Sequence, residues 1–385
     1  MFERHAGGER VILFALDFDD IDFLDSLAEL RLLACGAGLD IVGELSGKRS
    51  RPDAALFAGS GKVDEIAALV LANHADVVIF NHELSPAQER NLERRLQCRV
   101  IDRVSLILDI FARRAASAEG KLQVELAQLQ HLSTRLIRGW THLERQRGGV
   151  GMRGPGEKQL ETDRRLIGAR VKALKSRLAK LEKQRRTQRR ARERGKVLTV
   201  ALVGYTNAGK SSLFNALTQA GAYEADQLFA TLDTTTRRLH LVDVGDVVLA
   251  DTVGFITRLP HSLIAAFRAT LEATLEADLL LHVIDTASPH RERQIAAVEQ
   301  VLQEIAADQP KRILRVHNKL DLVELSPGVN RDEYGKLQAV YVSARTGAGL
   351  NLLRTSLIET LSDMRAPHIP PLDDTLPSHS YVSAN

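Results

Sequence analysis

Long apolar runs are missing from this 385-residue chain. No window reaches about 18 uncharged apolar residues, the least that crosses a bilayer as a helix, so no membrane span is expected. The opening MFERHAGGERVILFALDFDD holds one short apolar run closed by acids and does not read as a signal peptide. Cysteine is scarce. Cys35 and Cys98 are the two, without metal-ligand spacing, and both are expected as buried or half-buried thiols in a reducing cytoplasm. No internal repeat is visible.

The chain is 44% apolar and 26% charged, the composition of a soluble globular protein long enough for two or three domains. Its formal charge of +3 hides an asymmetry. Residues 135–196 carry 21 Lys or Arg against 6 Asp or Glu, whereas the remainder has 31 basic and 43 acidic residues. A basic segment on an acidic body points to a polyanionic partner for that segment alone.

Residues 10–114 alternate strand-like and helix-like runs. VILFALDF (11–18) and DVVIFN (76–81) predict buried strands, and KVDEIAALVLAN (62–73) and SPAQERNLERRLQ (85–97) predict helices, the latter with Ser85 as N-cap and Pro86 in its first position. The alternation predicts a small, largely parallel α/β domain over 1–114. From 115 apolar residues step by threes and fours, through Leu122, Leu126, Leu129, Leu132, Leu136, Trp140 and Leu143, and again through Leu160, Ile167, Val171, Leu174, Leu178 and Leu181. Two amphipathic segments joined by a Gly/Pro loop predict an antiparallel helical hairpin over 115–196, with Trp140 in its seam. A second α/β domain is expected over 197–364, and the proline-rich 365–385 reads as a flexible tail.

That second α/β domain carries the chemistry. Gly204-Tyr205-Thr206-Asn207-Ala208-Gly209-Lys210-Ser211 follows the strand VLTVALVG and opens the helix SSLFNALTQA. This is the strand–loop–helix context of a phosphate loop. Backbone N–H groups would face the phosphates, Lys210 would neutralise β/γ oxygens, and the Ser211 hydroxyl would ligate Mg²⁺. Asp251-Thr252-Val253-Gly254 ends a further strand, with Asp251 placed for a Mg²⁺-bound water and Gly254 for the γ-phosphate. Asn318-Lys319-Leu320-Asp321 closes RILRVH. A carboxylate at Asp321 accepts from guanine N1–H and the N2 amine, donors that adenine lacks. Ser343-Ala344-Arg345 follows QAVYV, where its backbone can meet guanine O6. Four ordered motifs on successive strand ends predict a Ras-like P-loop GTPase domain that binds GTP with Mg²⁺. A switch threonine is expected within QLFATLDTTTRR (227–238), where Thr231, Thr234, Thr235 and Thr236 are all candidates. After Gly254 stands Phe255, where many GTPases carry a water-orienting Gln. Phenylalanine cannot hydrogen-bond the attacking water, so slow intrinsic hydrolysis with stimulation by a partner is expected. No group is assigned as certain to take part in the bond-breaking step; Lys210, Thr231 and Gly254 are expected as transition-state contacts.

Two glycine-rich stretches are not phosphate loops. Ala58-Gly-Ser-Gly-Lys-Val63 lacks the first glycine and the hydroxyl and reads as a tight turn capping a helix. GVGMRGPGEKQLETDRR (149–165) has no preceding strand and opens its helix with Glu157, which repels anions. It reads as the exposed tip of a rigid arm, with Arg153, Lys158, Arg164 and Arg165 as candidate contacts to folded RNA.

That pattern, together with GSGKVDEI before it and FATLD and DTVGF after it, resembles the signature of the HflX family of ribosome-associated GTPases. The resemblance covers residues 10–362. It implies an amino-terminal HflX domain, a helical linker and a Ras-like domain, with GTP and Mg²⁺ bound and the large ribosomal subunit and its RNA as partner. It also implies Thr231, within Phe229-Ala230-Thr231-Leu232-Asp233, as the switch threonine on Mg²⁺, with Asp233 near the nucleotide. Thr234 stands where relatives often have proline, and the proline-rich tail where many carry a further small domain. The expected function is a monomeric, ribosome-binding GTPase that splits or recycles stalled ribosomes. The alternative is an RNA-remodelling or RNA-modifying protein with a regulatory GTPase domain, which needs a second active site that the motifs do not supply.

Overall fold

A computed structural model describes residues 8–139, 155–194, 197–218, 228–229, 231–257, 274–305 and 311–365. The amino-terminal sheet is built from β1 (Arg10–Asp17), β2 (Asp40–Lys48), β3 (Val77–Phe80) and β4 (Arg99–Asp102), in the order β2-β1-β3-β4 and parallel throughout. Val11 to Leu16 and Val77 to Phe80 are buried on both faces, because helices cover both sides, as a parallel sheet requires. These helices are α1 (Phe23–Gly36), α2 (Ser60–Asn73), α3 (Pro86–Leu96) and α4 (Arg103–Arg114). Ser85 and Gln88 form a reciprocal capping box at the start of α3. The glycine-rich half-motif is the entry to α2: Gly59 turns at φ +85° and Ser60 begins the helix.

α5 (Ala118–Gly139) and α6 (Pro155–Arg194) form the hairpin. Arg170 of α6 pairs with Glu125 of α5 at 2.7 Å. Along α6, Ile167, Val171, Leu174, Leu178 and Leu181 are drawn from solvent while nearly all the residues between them are exposed, so the apolar period sets the seam. Trp140, Leu143 and the arm tip with Arg153 lie outside the described residues. The helix α5 is fixed to the amino-terminal body by Arg135, which pairs with Asp102 at 2.5 Å and with Glu89.

The second sheet has seven strands in the order β10-β11-β9-β8-β5-β7-β6. They are β5 (Thr199–Gly204), β6 (Thr235–Leu241), β7 (Gly245–Asp251), β8 (Leu279–Asp285), β9 (Arg312–Asn318), β10 (Gly328–Arg331) and β11 (Leu337–Tyr341). The two edges, β6 and β10, run antiparallel to their neighbours, and the five strands between are parallel. α7 (Lys210–Thr218) follows β5 directly.

One buried cluster crosses between the two units. Phe111, Val124 and Ala127 share it with Leu228, Phe229, Leu232, Val253 and Phe255. The Phe111 and Phe229 rings meet edge-on at 4.7 Å, a geometry that contributes about 1 kcal/mol beyond area burial. Cys98 is half-buried, and burial raises its thiol pKa to about 11. Cys35 is exposed, contrary to expectation, because it faces solvent beside the buried Leu33 and Ala34 of α1.

Candidate active site

β5 delivers the chain to a loop whose backbone turns left-handed at Asn207 (φ 61°) and Gly209 (φ 88°) before α7 begins at Lys210. Alternating handedness of this kind points successive N–H groups into one concavity, an anion nest. The Lys210 ammonium is buried, and its Nζ donates to the carbonyls of Tyr205 (2.8 Å) and Gly204 (3.2 Å). Burial lowers its pKa to about 8, opposed by the Asp251 charge. The Asp251-Gly254 segment runs against this loop: Thr206 N–H donates to the Phe255 carbonyl (2.7 Å) and Phe255 N–H to that of Gly204 (3.1 Å). A Cβ on Gly254 would stand 2.7 Å from Thr206 Cγ2 and 2.9 Å from Lys210 Nζ. Only glycine lets its backbone come this close.

Three oxygens converge beside the lysine. Ser211 Oγ lies 2.8 Å from Thr231 Oγ1, and both hydroxyls donate to Asp251 Oδ2, at 2.7 and 2.9 Å. Asp251 is buried, which raises its pKa, and its Oδ1 has no hydrogen-bond partner. Hard oxygens around an unsatisfied buried carboxylate suit a small divalent cation such as Mg²⁺. Of the four threonines that spacing leaves open, Thr231 is the one that joins this cluster.

At the far end of the cleft Asn318 cross-links the motifs. Its amide donates to the Ala208 carbonyl (3.0 Å) and accepts from Ala344 N–H (2.9 Å). Ser343 Oγ donates to Asp321 Oδ1 at 2.6 Å, which fixes the carboxylate's orientation. The Lys319 ammonium pairs with Asp285 at 2.8 Å.

The cleft has a volume of about 650 Å³. Thr206, Asn207, Gly209, Lys210, Ser211, Phe229, Thr231, Thr252, Gly254, Asn318, Lys319, Asp321, Ala344 and Arg345 line it. Gly204, Ala208, Leu232, Asp251, Val253, Leu320 and Ser343 stand behind these as core or support, and Ala230 lies outside the described residues. Ser212, Asn215, Ala216 and Leu322 also line the cleft and were not expected. Asn215 could have been found, since it lies four residues after Ser211 on the same helix face.

Two expected nucleotide neighbours point elsewhere. The Tyr205 hydroxyl reaches the amino-terminal body, where it donates to Glu29 and accepts from Thr257 N–H at 2.8 Å. Burial and the Glu29 charge raise its pKa well above the usual tyrosine value. Glu29 is also paired, in full burial, with Arg103, which in turn donates to Asn81 Oδ1 (2.9 Å) and the Thr257 carbonyl (3.3 Å). Asp233, expected near the nucleotide, instead caps the start of α5. Its carboxylate accepts from Ala116 N–H (2.7 Å), Ser117 N–H (2.8 Å) and Ser117 Oγ (2.5 Å). A carboxylate is favoured there by the positive end of the helix. Phe255 faces the shared core and is 1% exposed. Of the arm, Arg164 and Arg165 are exposed on α6, and the Lys158 side chain lies outside the described residues.

Comparison with known proteins identifies the family. Three family models match in succession: a GTP-binding GTPase amino-terminal model over 24–112, a GTP-binding GTPase middle-region model over 114–192, and a 50S ribosome-binding GTPase model over 199–319. The chain is 54% identical to the GTPase HflX of Escherichia coli (strain K12) over 385 residues, covering 99% of this chain and 90% of that protein. The chain belongs to the HflX family of GTPases. It is 50% identical to the GTPase HflX of Magnetococcus marinus over 365 residues, 93% of this chain and 83% of that protein. The crystal structure of SsGBP in complex with GDP has the same fold as this chain, with a TM-score of 0.51 and 23% identity over 93% of this chain and all of that one. As an HflX GTPase, the protein binds and hydrolyses GTP. No described helix is long and apolar enough to cross a membrane.

Proposed function

We propose that this HflX GTPase is a GTP-switched factor of the cytoplasm that docks on the large ribosomal subunit and splits or recycles stalled ribosomes. The 50S ribosome-binding GTPase model over 199–319 supports the partner, and the basic arm is the part suited to its RNA. The observation that carries the switch is the position of Thr231. It sits on Ser211 and Asp251 while its neighbours Phe229 and Leu232 are buried against the body that holds the arm. The state of the third phosphate therefore has a physical route to the RNA-binding end.

In this reading Ser211, Thr231 and Asp251 are the residues that would hold Mg²⁺. A Mg²⁺ held there would supply positive charge against the negative charge of the phosphates. Lys210 and the N–H of Gly254 hold the γ-phosphate, and Asp321 selects guanine. Phe255, buried in the core, gives the attacking water no hydrogen bond. Saturated turnover of the isolated protein is therefore expected between about 10⁻⁴ and 10⁻² per second, as for GTPases without a trans-acting group. Large subunits should accelerate it by at least about tenfold. Turnover above about 1 per second without ribosomes overturns the partner-stimulated reading.

A further inference from the structure

Asp233 follows the switch threonine by two residues, yet it belongs to the start of the linker. Its two oxygens take the N–H groups of Ala116 and Ser117 and the Ser117 hydroxyl. That hydroxyl oxygen accepts from Gly120 N–H at 2.8 Å, and the Ser117 carbonyl accepts from Lys121 N–H at 3.1 Å. Ser117 is thus the N-cap of α5, and the switch segment caps the cap.

Gly120 supplies a second, independent observation. It lies in the first turn of a helix, where glycine is among the least favourable residues. A Cβ there would overlap the Asp233 carboxylate. The helix forgoes a better residue where the Asp233 carboxylate comes close.

We propose that Asp233, Ser117 and Gly120 form a latch by which the linker helix holds Thr231 against Ser211 and Asp251. Such a latch would favour GTP over GDP from outside the GTPase domain. Asp233 is a positioning residue, acting on the cluster through Thr231. The proposal rests on Thr231 being the residue that responds to the third phosphate. A group that stabilises only the closed segment adds to the affinity of a nucleotide that closes it and leaves the other nucleotide untouched. The latch sits at the positive end of a helix whose far half is tied to Asp102 and Glu89 by Arg135. Closing the switch therefore docks it onto a helix already tied to the amino-terminal body.

The test compares dissociation constants for a non-hydrolysable GTP analogue and for GDP in the full chain. Gly120→Ala leaves the cleft untouched and displaces the carboxylate. It is expected to weaken analogue binding about fivefold with GDP binding unchanged. Ser117→Ala, which removes one of the three donors without adding bulk, is expected to shift the same ratio by about twofold to threefold. Equal losses for both nucleotides make the contact merely structural and overturn the latch, as does an unchanged ratio in both variants. No ribosome enters this measurement. Failure of the latch is therefore distinct from failure of the docking model, which appears as wild-type ribosome binding that ignores the nucleotide.

Discussion

Asp321→Asn is expected to lower GTP affinity by at least about 100-fold and to create binding of xanthosine triphosphate. On the proposed reading, the carboxylate offers two acceptors, one for guanine N1–H and one for the N2 amine. The amide would keep one acceptor and turn a donor toward the N2 amine, so two donors would face each other. Sites built to hydrogen-bond a donor discriminate by several orders of magnitude when the match is lost. Xanthine carries an oxygen in place of that amine and restores the pairing. The Ser343 hydroxyl that orients Asp321 Oδ1 at 2.6 Å can donate equally well to the amide oxygen, so the local structure should survive. Titration of both triphosphates by calorimetry checks this. Undiminished GTP affinity removes Asp321 from base recognition.

Lys210→Met is expected to weaken GTP and GDP binding together by over 100-fold, because phosphate oxygens then enter a buried site without their cation. Leaving a buried charge unpaired costs about 3 kcal/mol or more. The nucleotide-free variant should melt at or above the wild-type temperature, since a buried ammonium whose pKa has fallen to about 8 opposes folding at neutral pH. The same shift sets a pH dependence. Phosphates raise the Lys210 pKa on binding, so the full electrostatic contribution is present below the free protein's value of about 8. It is lost as pH rises through that value toward the higher pKa of the complex, by up to about tenfold in affinity per pH unit. Flat affinity between pH 7 and 9.5 contradicts this account of the lysine.

Residues whose chemistry is local were legible in the sequence. The phosphate loop, Asp251–Gly254, Asn318–Asp321 and Ser343–Arg345 are strand-end segments, and order along the chain sufficed to bring them to one edge of one sheet. The α6 seam was legible for a related reason, since period alone decides which face of a helix is covered. Contacts between distant segments were not. Nothing in the spacing of Glu29, Arg103, Tyr205 and Thr257 announces a buried network that joins the two α/β units. The family resemblance places Asp233 near the nucleotide, and the helix start that its carboxylate caps lies more than a hundred residues away in sequence. The exposed thiol of Cys35 was missed because α1 is apolar on more than the face it buries, as the exposed Leu24 and Leu32 also show.

The buried packing of Phe229 and Leu232 against Phe111, Val124 and Ala127 gives the switch segment two neighbours at once, the cleft on one side and the arm-bearing body on the other. Burial of such side chains stabilises the docked arrangement by roughly 2 kcal/mol each, comparable to the coupling energies that link two binding sites in allosteric proteins.

Co-sedimentation with purified large ribosomal subunits, across a range of salt, tests that coupling most directly. The account predicts at least about tenfold tighter binding with a non-hydrolysable GTP analogue than with GDP. Joint replacement of Arg153 and Lys158 by alanine should weaken binding and flatten the salt dependence by a log–log slope of roughly 1 to 2, with GTP affinity unchanged. Equal binding in both nucleotide states, or a fall in GTP affinity when the arm residues are removed, contradicts it.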